Sequence, residues 1–339
     1  MVFLRKKIFS AVVFLLVSAF AVLILFAGSG EHALAAQSKG SKAAPAAPTQ
    51  VQLARGRYLV EHVAVCVTCH STINGKGDLQ PVAGRKGAGD YFPDETAPFR
   101  IIAPNITPDR ETGAGTWTDA QFARAIREGV GNDGRRLFPV MPYLLFRTMS
   151  DRDLAAVIAY LRSLPPVKNS LPKTPVPPAF QAMIPPLMPV KTPVPRPDMS
   201  NPVKRGEYLA SLALCNDCHT PVNEKGEPMM NLAFAGGRLL KGPWGSVHSA
   251  NITPDASGIS HYDEKQFIQM MRTGKVVGVG RKLSPIMLTS YFRGMTDDDL
   301  KAIYAWLKTL KPIRHRMDNT EPPTKCRICG GVHGLGDNN

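Results

Sequence analysis

Four blocks of this 339-residue chain recur in the same order, 145 to 150 residues apart. RGRYLVEHVAVCVTCH (Arg55–His70) matches RGEYLASLALCNDCH (Arg205–His219), and NITPD occurs at Asn105–Asp109 and again at Asn251–Asp255. WTDAQFARAIREG (Trp117–Gly129) matches YDEKQFIQMMRTG (Tyr262–Gly274), and MSDRDLAAVIAYLRSLPPV (Met149–Val167) matches MTDDDLKAIYAWLKTLKPI (Met295–Ile313). Ordered self-similarity of this kind marks a duplicated folding unit. It constrains the fold more than composition does, because whatever one copy builds the other must build too.

The chemistry of each copy is written in a pentad. CVTCH (Cys66–His70) and CNDCH (Cys215–His219) are both C-x-x-C-H, the attachment signature for c-type haem. Two thiols at this spacing can each add to one porphyrin vinyl group, and the adjacent histidine reaches the iron as proximal ligand. With 6 Cys and 8 His in the chain, chance supplies about 0.0025 such pentads, and here two stand at matching places of a repeat. A thioredoxin-like redox pair needs an α/β pattern that is absent. A shared zinc site would need ligand pairs 149 residues apart, far from zinc-ribbon spacing. The reading is therefore two covalent haem c groups, held by Cys66, Cys69, Cys215 and Cys218, with His70 and His219 as axial iron ligands.

An electron-transfer haem takes a second axial ligand, usually Met or His. Met141 in FPVMPY and Met287 in SPIMLTSY occupy matching positions in Pro-containing segments between two helices. Most of the 13 methionines must be core filler, but the matched position singles these two out. Met149 and Met295 are matched as well, yet each directly precedes a helix cap and reads as a hydrophobic staple. His248 competes in the second copy. The first copy has Ile102 there, so His248 reads as a surface or propionate-side residue.

The copies read as all-α, with helices joined by long loops. Thr118 with Gln121, and Asp263 with Gln266, spell capping boxes. Ser150 and Thr296 open the last helix of each copy, whose apolar stripes are Leu154, Val157, Ile158, Leu161 and Leu300, Ile303, Tyr304, Leu307. Gly56 and Gly206 let a large aromatic of a crossing helix, Tyr160 or Trp306, approach the backbone; the alternative is that these aromatics face the haem edge.

Around the copies lie segments of other kinds. Arg5, Lys6 and Lys7, the apolar run Ile8–Ala27 and Ala33-Leu34-Ala35 describe a secretory signal over residues 1–35, either cleaved or retained as a single anchor. Residues 36–50 are a small-residue tether. The first domain then covers 51–167. Residues 168–202 form a linker; from Pro165 to Pro202 there are 13 prolines, a density that excludes helix and sheet, although its AFQAMIPPLMPV stretch is apolar enough to pack over a domain. The second domain covers 203–315, and 316–339 is a tail. In the tail Cys326-x-x-Cys329 is followed by Gly330, not His. It reads as a disulfide or free pair, a partial metal site with His333, or a haem-site remnant. The net charge of +14 reads either as a solvated basic surface that aids solubility or as steering toward an acidic partner protein or an anionic membrane surface. No basic run is interleaved with aromatics, which argues against nucleic acid.

These motifs together resemble class I cytochrome c domains in tandem, and in particular the cytochrome c subunits of membrane-bound bacterial alcohol, aldehyde and gluconate dehydrogenases. The resemblance spans roughly Val51 to Ile313 and is looser in the second copy, where IMLTSY replaces VMPY. It implies a periplasmic dihaem electron carrier, a non-catalytic subunit that takes electrons from a dehydrogenase and passes them to quinone, another cytochrome or an oxidase. It also implies that NITPD is the loop lying against the haem. Members of this family often carry three haems, and a third C-x-x-C-H is not written here. The alternative is a haem enzyme, a dihaem peroxidase or thiosulfate-oxidising cytochrome, which would need one haem with an open or displaceable site.

Overall fold

The computed structural model describes residues 47–74, 79–92, 99–184, 186–277, 282–315, 324–325 and 332–333. The signal segment, Cys326 and Cys329 lie outside the described residues. Among the described residues no helix is long and apolar enough to cross a membrane.

The N-terminal half begins with α1 (Gln50–Tyr58), capped by Thr49, which runs into a π-helical turn at Leu59–Val63. The wide turn follows from a count. Eleven steps separate Arg55 from Cys66, but ten separate Arg205 from Cys215. The extra residue is absorbed by an i→i−5 bond, Ala64 N to Leu59 O at 2.7 Å, instead of disturbing the pentad that follows. A short α2 (Cys66–Cys69), an antiparallel pair β1 (Asp90–Tyr91) and β2 (Ile102–Ala103), α3 (Asp119–Glu128), α4 (Tyr143–Phe146) and α5 (Asp151–Ser163) complete this half.

The C-terminal half repeats the order. It has α7 (Pro202–Leu212), α8 (Cys215–His219), the hairpin β3 (Leu239–Gly242) and β4 (Gly245–His248), α9 (Glu264–Thr273), α10 (Thr289–Phe292) and α11 (Asp297–Leu307). Beyond it β5 (Thr324–Lys325) pairs with β6 (Val332–His333). The capping boxes at Thr118/Gln121 and Asp263/Gln266 form as expected, and Gly129 and Gly274 close α3 and α9 in the left-handed region at φ 64°.

In each half the entry helix crosses the last helix at a glycine. A Cβ on Gly56 would lie 2.0 Å from the Ala156 carbonyl oxygen and 2.7 Å from Tyr160 Cβ; on Gly206 it would lie 1.9 Å from the Ala302 oxygen and 2.8 Å from Trp306 Cβ. The expected crossing is therefore present twice. The stripes of α5 and α11 bury Leu154, Val157 and Leu161, and Leu300, Ile303 and Leu307, against Leu59, Val63, Leu209 and Leu212 in one continuous core. Met149 and Met295 are buried just before the α5 and α11 caps, where staples belong.

The two halves lie in one compact unit, Ala47–Asn339, and clasp each other reciprocally. The Tyr58 hydroxyl donates to Asp299 and accepts from Thr296 N at 3.2 Å. The Tyr208 hydroxyl donates to Asp153 at 2.9 Å and accepts from Ser150 N at 3.0 Å. Each aspartate is buried and held by its own half's arginine, Arg55 on Asp153 (2.9 and 2.8 Å) and Arg205 on Asp299. Charge-assisted bonds of this kind are strong, and a buried carboxylate needs them.

The proline-rich segment corrects the expectation that it excludes helix. Pro178–Met183 forms α6, because Pro178 sits at the first helical position, where its missing N–H costs nothing, and Ala-Phe-Gln-Ala-Met follows. The expected packing is there too. Thr174 Oγ1 bonds both Ile102 N and O at 3.0 Å, Arg136 donates to the buried Ile184 carbonyl, and Asp151 and Val194 exchange backbone and carboxylate bonds. The segment is laced along the N-terminal half.

Candidate haem c sites

A left-handed residue, Val65 at φ 43° or Leu214 at φ 61°, turns the chain sharply before each pentad. The short helix that follows places Cys66, Cys69 and His70, or Cys215, Cys218 and His219, on one turn. The four cysteines are half-buried and unbridged. Burial pushes the thiols of Cys66, Cys215 and Cys218 up to about 12, and that of Cys69 upward. After burial, Asp217 adds to the rise at Cys218, Arg238 opposes it, and Cys215 and Cys69 add to it. Such thiols stay neutral, unlike the low-pKa pair of a thiol–disulfide enzyme.

His70 Nδ1 lies 2.9 Å from the Pro104 carbonyl oxygen, and His219 Nδ1 lies 2.7 Å from that of Ala250. A carbonyl only accepts, so Nδ1 carries the proton and donates, which leaves Nε2 as the free lone pair. Burial lowers both imidazole pKa values against the opposing backbone bond, which favours the neutral ring. A neutral, oriented imidazole with Nε2 available is what a metal-ligating histidine requires.

Those two carbonyls belong to the residues just before NITPD, and the loop is built to hold them. Asn105 Oδ1 accepts from Thr107 N (3.0 Å) and Oγ1 (2.7 Å), while its Nδ2 donates to Val167 O (2.7 Å). Asn251 Oδ1 does the same for Thr253 (2.9 and 2.8 Å), with Nδ2 on Ile313 O (2.9 Å). Val167 N and Ile313 N return bonds to the threonine hydroxyls at 3.1 and 3.2 Å. Both threonines are fully buried. The repeated pentapeptide thus fastens the loop to the segment leaving the last helix and fixes the acceptor that orients the histidine.

Met141 lies between α3 and α4, and Met287 ends a 3₁₀ turn, Pro285–Met287, between α9 and α10; both are half-buried and packed against the core. Their loops share one anchor: Leu137 N bonds Gly129 O at 2.7 Å, and Leu283 N bonds Gly274 O at 2.8 Å. His248 sits in β4 opposite Leu239. The donor set of each half, two unbridged thiols beside an imidazole with Nε2 free, fits haem c. Sequence reasoning missed Tyr58 and Tyr208 as residues joining the halves; their matched positions were the available signal.

Residues 53–165 match the Cytochrome c family, so the chain carries a cytochrome c domain, the type of domain that binds haem c and transfers electrons. Across a longer span it is similar to the fructose dehydrogenase cytochrome subunit of Gluconobacter japonicus, 29% identical over 306 residues that make up 86% of this chain and 58% of that one. It is similar also to the cytochrome c subunit of the quinone alcohol dehydrogenase of Gluconobacter oxydans, 31% identical over 279 residues, 76% of this chain and 55% of that one. The diheme cytochrome c-type protein of Cereibacter sphaeroides is 28% identical over 256 residues, 73% of this chain and 82% of that one. The chain spans a little over half the length of the two dehydrogenase subunits.

Proposed function

We propose that the chain is an exported dihaem cytochrome c that takes electrons from a partner dehydrogenase and delivers them to the respiratory chain, through quinone, another cytochrome or an oxidase. In this reading 51–167 and 203–315 are two cytochrome c domains joined by the proline-rich 168–202. Residues 1–35 export the chain to the periplasm, as a cleaved signal or as an anchor on the inner membrane.

One observation carries the reading. Both halves build the same histidine, with Nδ1 held by a backbone carbonyl and Nε2 free beside two unbridged cysteines. Bound haem c supplies one-electron redox chemistry. Cys66, Cys69, Cys215 and Cys218 would attach it, His70 and His219 would ligate its iron, and Met141 and Met287 would supply the second ligand of each iron. Methionine there raises the reduction potential relative to a second histidine. The dehydrogenase partner is supported by what the relatives are named for, and the +14 charge suits an acidic docking face.

The test is purification of the native protein in mild detergent, followed by substrate-dependent reduction of its haem. A co-purifying dehydrogenase, with alcohols, aldehydes or sugars reducing two haems per chain, is the expected result. Purification alone, with no substrate reducing it in the membrane extract, would overturn the subunit assignment. Carbon monoxide binding to the reduced protein would show an open iron and favour a haem enzyme.

A further inference from the structure

The two methionine loops are braced by different parts of the chain. On either side of Met141 the brace is the proline-rich segment. Arg136 donates to the Ile184 carbonyl, Arg147 donates to that of Met188, and Phe180 of α6 meets Phe99, which meets Phe138 at 4.8 Å.

Around Met287 the brace is the N-terminal half. Ile286 and Leu288, which flank Met287, pack in one cluster with Trp244, Val247, Ile73 and Leu79. Ile73 and Leu79 belong to the other half, and Leu79 is 6% exposed. Tyr291, in the helix that follows, donates its hydroxyl to the Leu79 carbonyl at 2.7 Å. Its own carbonyl accepts from His62 Nδ1 at 3.1 Å. A Cβ on Gly294 would lie 2.2 Å from His62 Nδ1, so the imidazole is seated against the backbone leaving α10.

Two backbone details show what these contacts oppose. Leu288 joins the Met287 turn to α10 in the left-handed region, at φ 57°, where the matching Pro142 has φ −81°. A bulky residue stays in that region only where its surroundings hold it. Leu79 is left-handed too, at φ 56°, and the bridges Ile73–Pro81 and Val222–Pro228 match it to Gly226, at φ 78°. The N-terminal half thus keeps a leucine where the other has the residue this backbone favours. That leucine side chain packs into the cluster beside Met287.

On the dihaem reading proposed above, with Met287 as an iron ligand, we infer that Leu79 and His62 are positioning residues for Met287, so that the second axial ligand of the C-terminal iron is set by the N-terminal half. Leu79 holds the apolar flanks of the methionine, and His62 holds the helix into which its loop runs.

The experiment uses the full-length holoprotein. Leu79→Gly removes the side chain and suits the backbone. His62→Leu removes the donor, and His62→Asn restores one at the same place on the side chain. Haem per chain is counted by pyridine haemochrome, the methionine–iron absorption is recorded on the oxidised protein, and potentials are read by spectroelectrochemical titration. Met287→His marks the C-terminal wave by lowering it. Leu79→Gly and His62→Leu, although both lie in the N-terminal half, are expected to lower the C-terminal wave and to remove methionine–iron absorption from one of the two haems. The N-terminal wave stays in place, and His62→Asn behaves as the parent protein. Two haems per chain with neither wave moved, with both moved equally, or with only the N-terminal wave moved would overturn the inference. A Met287→His variant that shifts no wave would overturn the ligand assignment, and a single haem per chain the dihaem reading, and the inference would fall with either. If Leu79→Gly fails to mature, the two His62 variants decide alone.

Discussion

The two halves agree where they build a site and diverge where they surround it. Both cross their helices at a glycine, both fasten the NITPD loop to the end of the last helix, and both hold a histidine by a carbonyl. Around those common parts they differ. The N-terminal half spends its extra residue on a π-turn that carries Glu61 and His62. Glu61 is nearly buried and receives Lys86 Nζ at 2.8 Å and the Tyr160 hydroxyl. His62 donates from Nδ1 to Tyr291 O at 3.1 Å and packs on Gly294, both in the C-terminal half. The C-terminal half has Ser211 and Trp306 at the places of Glu61 and Tyr160, and its entry helix is plain α. The shared geometry thus holds the candidate haem sites, and the copies differ in what surrounds them.

The largest expected effect falls on the shared crossing. Gly56→Ala or Gly206→Ala sets a methyl within about 2 Å of a backbone carbonyl, a clash that only helix separation relieves, with a cost of about 3 kcal/mol or more. Loss of haem-stained protein for both variants is expected; tolerance in one half would break the equivalence. Next is the loop. Asn105→Ala and Asn251→Ala each leave buried Thr and backbone groups without partners, costing about 1–3 kcal/mol in urea unfolding. Equal losses would keep the halves equivalent.

The clasp should be weaker. Tyr58→Phe and Tyr208→Phe each remove one hydroxyl from a buried carboxylate and a helix cap, for about 1–2 kcal/mol. A double-mutant cycle on urea midpoints should show non-additive losses if the two clasps close one interface together, and simple addition if each acts alone. The smallest effect belongs to the N-terminal half only. Burial opposes ionisation of Glu61, but Lys86 and Tyr160, with Arg57 behind them, overcome it and hold its carboxyl below the usual range. A depressed folded pKa gives stability that is present above the unfolded value, about 4.3, and lost as pH falls through the folded one. Glu61→Gln should flatten the stability curve slightly below about pH 4, and Ser211→Ala should leave it unchanged.

What could be read from the chain beforehand was whatever the repeat spells locally. The Thr118 and Asp263 caps, the α5 and α11 stripes and the glycine crossings are each short-range patterns with a physical cause, and each took its expected form. The π-turn was present as an unequal count between Arg-Gly and Cys, a signal that shows only when the copies are aligned to the residue. Helix α6 was masked by its proline-rich neighbours, since density was weighed and position within the helix was not. Tyr58 and Tyr208 defeated local reasoning for a deeper reason. Their partners lie 241 and 55 residues away in the opposite half, and no pattern along one copy points at the other.

That exchange has a consequence for symmetry. Each half carries both members of the clasp, a tyrosine on its entry helix and an aspartate on its last helix, and each member meets its opposite number across the boundary. A surface in which i meets j while j meets i is the signature of a two-fold dimer. The clasp thus has the reciprocity of a two-fold contact, held within one polypeptide. Because both surfaces lie on one chain, a substitution such as Tyr58→Phe alters one of the two contacts, where in a two-fold dimer of identical chains it would alter both.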